Sequence, residues 1–258
     1  MRQVFEIAYD IDKQYKMFLP GHETDYIQKL LSRMRKPYEH LMLADILTRI
    51  RPDGLFVDAG ANIGNHTIFI AIAGFNVLSF EPNKELLPII QKNIVLNELQ
   101  KKIVLYPFAL GAMPCKAKFV TLKPDNIGNQ NLTLTGGDID VRPYDTLNID
   151  TKISVLKIDT EGMEYDVLIG AVKTITRDKP VIYFECVGID NFRRIYDFMV
   201  ENNYFYWDTF NGTPTHLFIH EGEINDKQQM AQRTEYLLSL LNKSEIPRHT
   251  YKQSPDLG

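Results

Sequence analysis

Apolar positions recur at two different spacings along this chain, and the change falls at residue 55. Between Tyr26 and Arg49 they return every three or four residues, at Leu30, Leu31, Met34, Tyr38, Leu41, Leu43, Ile46 and Leu47. That period predicts helix, with Pro37 marking a break or a fresh start. Pro52-Asp-Gly54 closes the segment with turn residues. From Leu55 onward, short continuous apolar runs alternate with longer amphipathic ones. Strands are predicted at 55–58, 76–80, 103–106, 154–158, 181–185, 204–208 and 217–220, and helices near 65–73, 84–96, 164–174 and 191–201. Strands separated by crossover helices read as a parallel sheet covered on both faces. The last two follow each other across Asn211-Gly-Thr-Pro214 alone, which implies a terminal antiparallel pair. The expected fold class is α/β, a Rossmann-like, mostly parallel seven-stranded sheet with a terminal antiparallel strand.

The same reading divides the chain into a helical N-terminal extension (1–50), a main domain (51–222) and a C-terminal helix with a mobile tail (223–258). The tail helix rests on Tyr236, Leu237, Leu240 and Leu241. Residues 116–140 break the alternation: 116–122 reads as an extra strand, followed by a polar loop. An insertion at that point is suited to shaping a substrate site.

Composition narrows the function classes. The formal net charge of −4 gives no basic field for nucleic acid. Basic groups at Arg33, Arg35, Lys36, Arg193 and Arg194 read as solvated or ion-paired faces. Two cysteines, Cys115 and Cys186, exclude a disulfide framework and suggest reduced thiols in the cytoplasm. The first residues carry no apolar signal-peptide core, and no apolar run is long enough for a membrane span.

The first candidate chemistry lies in Asp58-Ala-Gly-Ala-Asn-Ile-Gly64, a tight turn between a buried strand and a helix. Ligands of open α/β sheets bind at the carboxyl ends of such strands. Gly60 and Gly64 let the backbone approach a ligand closely, and Asp58 can accept hydrogen bonds from an ammonium group. Glu81 ends the next strand, where an acid commonly accepts both ribose hydroxyls. A dinucleotide cofactor calls for G-x-G-x-x-G. Here Asn62 replaces the second glycine and the third is misplaced, which favours S-adenosylmethionine over NAD. The second candidate is Asp159-Thr-Glu161-Gly-Met-Glu164, three carboxylates at the end of a central strand. Such a cluster can assist deprotonation of a hydroxyl during in-line methyl transfer. It is equally suited to a divalent cation. Glu161 and Glu164 also read as helix N-terminal caps.

Taken in order, Asp58–Gly64, Phe80-Glu-Pro82, Lys92-Asn-Ile-Val-Leu-Asn97, Leu156–Glu164 and Val167-Leu-Ile-Gly-Ala171 resemble the motifs of the FkbM methyltransferase family. The resemblance runs from about 55 to 185. It implies the class I methyltransferase fold, S-adenosylmethionine as donor, and O-methylation of a sugar, glycan or secondary metabolite. It also implies cofactor roles for Asp58, Gly60, Asn62, Gly64 and Glu81, and for Ala109 packed against adenine within Phe108-Ala-Leu-Gly111. Asp159, Glu161 and Glu164 would serve catalysis. Two other readings stand beside it: a nicotinamide-dependent oxidoreductase and a non-catalytic scaffold of the same fold. The acceptor, any metal and any homo-oligomer are left open.

Several residues carry plainer readings. His66 reads as a packing or solvent-facing histidine ahead of a base. Glu185 is a strand-end carboxylate or a contact for substrate hydroxyls. His216 and His220 share a strand face, with a metal pair as the less favoured reading. Asn126, Asn129, Gln130 and Asn131 form an amide-rich loop suited to sugar hydroxyls. Tyr204-Phe-Tyr-Trp207 reads as a buried strand.

Overall fold

The computed structural model describes residues 3–10, 13–120 and 131–224. The predicted tail helix and most of the amide-rich loop, Asn126, Asn129 and Gln130, lie outside them.

The chain opens with a hairpin, β1 (Val4–Asp10) and β2 (Lys13–Phe18), followed by α1 (Tyr26–Met34) and α2 (His40–Arg49). Strands β3 (Leu55–Ala59), β4 (Asn76–Phe80) and β5 (Ile103–Tyr106) then alternate with α3 (Asn65–Ile72) and α4 (Leu87–Leu96). Four short strands follow: β6 (Ala109–Leu110), β7 (Cys115–Phe119), β8 (Leu132–Thr133) and β9 (Ile139–Arg142). The second half comprises β10 (Ile153–Ile158), α5 (Glu164–Gly170), α6 (Val172–Asp178), β11 (Val181–Glu185), α7 (Ile189–Glu201), β12 (Tyr204–Phe210) and β13 (Thr215–His220).

Seven strands make one sheet in the order β12-β13-β11-β10-β3-β4-β5. The order reverses between β3 and β10, so a crevice opens beside the carboxyl ends of those two strands. The last two strands form the expected antiparallel pair at one end of the sheet, with β13 lying between β11 and β12 and running opposite to both. Strands β3 and β10 are buried along their whole length, as their unbroken apolar runs require. One face packs under α2, α3 and α4 around Phe56, Ile68, Ile90 and Val155; the other packs under α5, α6 and α7 around Val57, Leu168, Ile182 and Phe198.

The N-terminal extension is not purely helical as expected, because the hairpin precedes its helices. Phe5, Ile7, Tyr15 and Met17 alternate with polar residues and enter the same core as Phe56 and Ile90. Asn93 and Asn97, one turn apart on α4, hold β2 by its backbone. Asn93 Oδ1 accepts from Phe18 N at 2.6 Å, and Asn97 Oδ1 accepts from Lys16 N at 2.8 Å while its amide donates to Lys16 O. The helix expected over 164–174 is interrupted at Ala171. Gly170 lies against the Gly111 carbonyl, where a Cβ would stand 2.0 Å from the oxygen.

Candidate active site

The turn after β3 is built from left-handed backbone: Gly60 at φ 85°, Asn62 at 52° and Gly64 at 86°. Gly60 has a second reason to be glycine, since a Cβ would lie 1.7 Å from the Asp159 carbonyl oxygen. The exits of β3 and β10 are thereby pressed together. At Gly64 the nearest atom to a Cβ would be Ile90 Cγ2 at 3.4 Å, so there the positive φ alone asks for glycine.

Glu81, at the exit of β4, is buried with a definite orientation. Oε2 accepts from Asn62 N and Oε1 from Asn83 N, each at 2.8 Å. Burial pushes its carboxyl up to about 7 against those two hydrogen bonds. Each oxygen keeps a second lone pair for a ligand hydroxyl. Asn62 thus contributes its backbone amide to the site by orienting Glu81.

Asp58 is fully buried. Oδ2 accepts from Thr67 Oγ1 at 2.7 Å, and Oδ1 makes no hydrogen bond although the Lys157 ammonium lies 3.3 Å away. Lys157 pairs with Asp58 across the β3–β10 register, so both side chains occupy the α2–α3 face. Its ammonium also reaches Asp159 Oδ2 at 3.2 Å and donates to Gly60 O at 3.2 Å. Burial works against the charge on Lys157, but Asp159 and Asp58 outweigh it and hold the lysine above its ordinary range. Sequence reasoning missed Lys157. The signal was present: a lysine inside an apolar strand, at the same distance from the strand end as Asp58.

Asp159 keeps 27% of its side chain exposed. Burial raises its carboxyl, yet Lys157, a hydrogen bond from Glu185 and the charge of His66 hold it below the usual range. Glu185 is pushed the other way, up to about 10, by burial and by Asp159. The two carboxyls are thus shifted in opposite directions, Asp159 down and Glu185 up.

Glu164 is buried and turns back onto its own loop. Its Oε1 accepts from Thr160 N, Thr160 Oγ1 and Gly162 N at 3.0–3.1 Å, which ties the loop carrying Asp159 and Glu161 to the start of α5. Glu161 adopts φ 54° and lines the cavity.

That cavity is bounded by Gly60, Glu81, Ala109, Asp159, Glu161 and Met163, with Phe119 and Leu132 contributed by the insertion. The insertion does shape the cavity, as a four-stranded sheet β6-β9-β7-β8 rather than the single strand expected. Asp58 does not line it; its carboxylate is engaged by Thr67 and Lys157, and Lys157 in turn reaches Asp159, which does. The oriented Glu81 and the glycine turn together fit a ribose-bearing cofactor.

Among the described residues no cluster of histidine, cysteine, aspartate and glutamate is disposed to hold a metal ion. His216 and His220 cannot form a pair, because four residues along a strand span about 13 Å. His216 Nδ1 bonds Thr209 Oγ1, and His220 Nδ1 accepts from Gly222 N. His66 is buried against Glu39 rather than solvent-facing. No helix among the described residues is long and apolar enough to cross a membrane.

A methyltransferase FkbM domain model matches residues 58–206, more than half of the chain. The FkbM methyltransferase of Methylobacillus flagellatus KT is 20% identical with a TM-score of 0.50, over 66% of this chain and 44% of that one. The chain thus spans less than half of that relative. An rRNA methylase from Streptococcus thermophilus aligns at 11% identity and TM-score 0.46, over 69% and 92% of the two chains. The tRNA (uracil-54, C5)-methyltransferase of Pyrococcus abyssi, in complex with S-adenosyl-L-homocysteine, aligns at 14% and 0.45, over 84% and 44%. These likenesses concern the fold. No curated protein matches the chain in sequence. With the domain match covering most of the sheet and both candidate loops, the chain belongs to the FkbM family of methyltransferases.

Proposed function

We propose that this methyltransferase uses S-adenosylmethionine to methylate a hydroxyl of a sugar, glycan or secondary metabolite. The observation that carries the reading is that Glu81 and the Asp159–Glu161 loop line one cavity. A ribose-accepting carboxylate and a partly exposed acid thereby face the same space.

When bound, the cofactor would supply an electrophilic methyl group. Gly60, Gly64 and Ala109 would admit its body closely, and Glu81 would accept from both ribose hydroxyls. The turn of Asp58, Gly60 and Asn62 would meet its amino-acid part, with Asp58 setting the local charge through Lys157. Asp159, ionised and fixed by Lys157, would orient the acceptor hydroxyl and receive its proton as the new C–O bond forms. Glu161 lies at the cavity rim, where it can bind the acceptor. Glu164 would act by holding that loop in shape. Asn131 stands close to Gly162, 3.5 Å from where a Cβ would project, which puts one amide of the insertion beside the acceptor side.

The test is incubation of the purified protein with methyl-labelled S-adenosylmethionine and fractionated glycans and metabolites. Label recovered in an ether-linked methyl group supports the reading. Label confined to protein or nucleic acid, or no transfer to any fraction, would overturn it.

A further inference from the structure

A second cavity opens at the same edge of the sheet, one strand over from Asp159. It encloses about 200 Å³ between the exit of β11, the start of α7 and the β12–β13 hairpin, walled by Cys186, Ile189, Phe192, Thr209, Pro214 and His216. Gaps in a packed interior are seldom larger than one water, whereas an apolar cavity of roughly 150 Å³ takes a benzene ring.

The space follows from the chain path. Strand β11 ends at Glu185 and α7 begins at Ile189, and this short turn passes through Gly188 at φ 94°. No atom of the described residues lies within 4 Å of a Cβ built on that glycine. Val187 and Ile189, on either side of it, are exposed. The opposite wall is fixed by hydrogen bonds and ring contacts. Thr209 Oγ1 bonds His216 Nδ1 at 2.8 Å and the Tyr206 hydroxyl at 2.6 Å. Phe192 stands 4.6 Å from the His216 ring at 57°, and Phe184 stands 5.5 Å from it. The lining is thus mostly aromatic and apolar, with a few anchored polar atoms, the composition of a small-molecule site.

The cavity also adjoins the proposed reacting group. The β10–β11 register pairs Ile158 with Phe184, so Asp159 and Glu185 leave the sheet side by side, about 4.8 Å apart. Cys186 follows Glu185 directly, and a molecule seated against it has one strand to cross to meet Asp159. A sugar seated there would set hydroxyls unpaired against Ile189, Phe192 and Pro214, which is costly.

We propose that this cavity is an anchoring subsite for the methyl acceptor and takes an aromatic ring bearing a hydroxyl or ether oxygen. The acceptor is then an aryl-bearing metabolite rather than a plain glycan. Phe192 and His216 hold the ring, and the hydroxyl to be methylated lies across β11 toward Asp159. The inference rests on the methylation reading above and narrows its acceptor class.

Phenol is the probe, with methyl glucoside as its polar counterpart. Each is titrated into the full chain while side-chain NMR follows Ile189 and His216. Phenol is expected to shift both saturably, with a dissociation constant on the order of 1 mM for so small a ring. Ile189→Asp puts a charge beside the cavity, at an exposed position in the first turn of α7 that favours an acid. Followed at His216, it should weaken phenol at least about tenfold. Val200→Asp, similarly exposed near the other end of α7, should leave phenol binding unchanged. No saturable shift, or methyl glucoside binding as tightly as phenol, would overturn the proposal. With methyl-labelled S-adenosylmethionine and metabolite fractions at limiting acceptor, Ile189→Asp should transfer at least about tenfold less label, its donor affinity kept. Undiminished transfer would overturn the cavity's part in binding the acceptor. Absence of transfer by the wild type would instead sink the methylation reading, while the phenol titration still decides whether the cavity takes a ring.

Discussion

The ammonium of Lys157 stands 3.3 Å from Asp58 Oδ1, joining the end of β3 to the end of β10 beneath the cavity. Because the same ammonium reaches Asp159 and the Gly60 carbonyl, one buried charge couples the glycine turn to the acid proposed to face the acceptor. Removing one partner of a buried pair leaves an uncompensated charge, which costs about 3–5 kcal/mol. Lys157→Met, similar in length, is expected to lose about that much stability in urea unfolding. A loss below about 1 kcal/mol would mean the two aspartates do not depend on the lysine.

The two glycines of the turn are expected to behave differently. Gly60→Ala drives a Cβ into the Asp159 carbonyl at 1.7 Å as well as straining φ, so a loss of at least about 3 kcal/mol is expected. Gly64→Ala meets only van der Waals contact and should lose about 1–2 kcal/mol. Equal effects of the two substitutions on the unfolding midpoint would contradict the close approach of the two loops.

Stability should carry a pH signature from Glu185. Burial and Asp159 push its folded carboxyl up to about 10, well above the roughly 4.3 of an unfolded glutamate. Between those values the folded state holds the extra proton, so stability falls as pH rises. Asp159 has the opposite sign, since its depressed carboxyl contributes above the unfolded value and loses that contribution only in acid. Glu185→Gln keeps a donor toward Asp159 and removes the ionisation. Melting temperatures from pH 5 to 9 should decline more steeply in the wild type than in this variant. Parallel curves would show that Glu185 is not held protonated.

Much of this fold was legible because its strands are buried on both faces. Asn76–Phe80, Ile103–Tyr106 and Val181–Glu185 begin and end at the residues predicted for them. The N-terminal hairpin escaped because its alternating runs are only a few residues long, and its partners, Asn93 and Asn97, lie 75 to 81 residues away. The insertion sheet escaped because β6 and β8 are two residues long, too short for any periodicity. At the site, residue type and strand position located Glu81, Asp159 and the glycine turn. They did not reveal where each side chain points. Glu164 turns onto its own loop, Asp58 lies under the cavity floor, and Lys157 takes part only through contacts distant in sequence.

Asp159→Asn keeps the size of the side chain and removes its capacity to take a proton. Turnover with the natural acceptor is expected to fall by about 10²-fold or more, while the dissociation constant for S-adenosylmethionine stays within about threefold. Unchanged turnover would remove Asp159 from the reaction.

The most direct test of the central claim is calorimetric titration of S-adenosylmethionine into the wild type and Glu81→Ala, with NAD as the control. Saturable binding of S-adenosylmethionine is expected, at least about tenfold weaker in the variant, since charge-assisted hydrogen bonds contribute roughly 1.5–3 kcal/mol. Glu81 ionises at about 7, so wild-type binding should also be about tenfold weaker at pH 6 than at pH 8. Binding of NAD in place of S-adenosylmethionine, no binding of either, or an affinity indifferent to Glu81, would contradict the account.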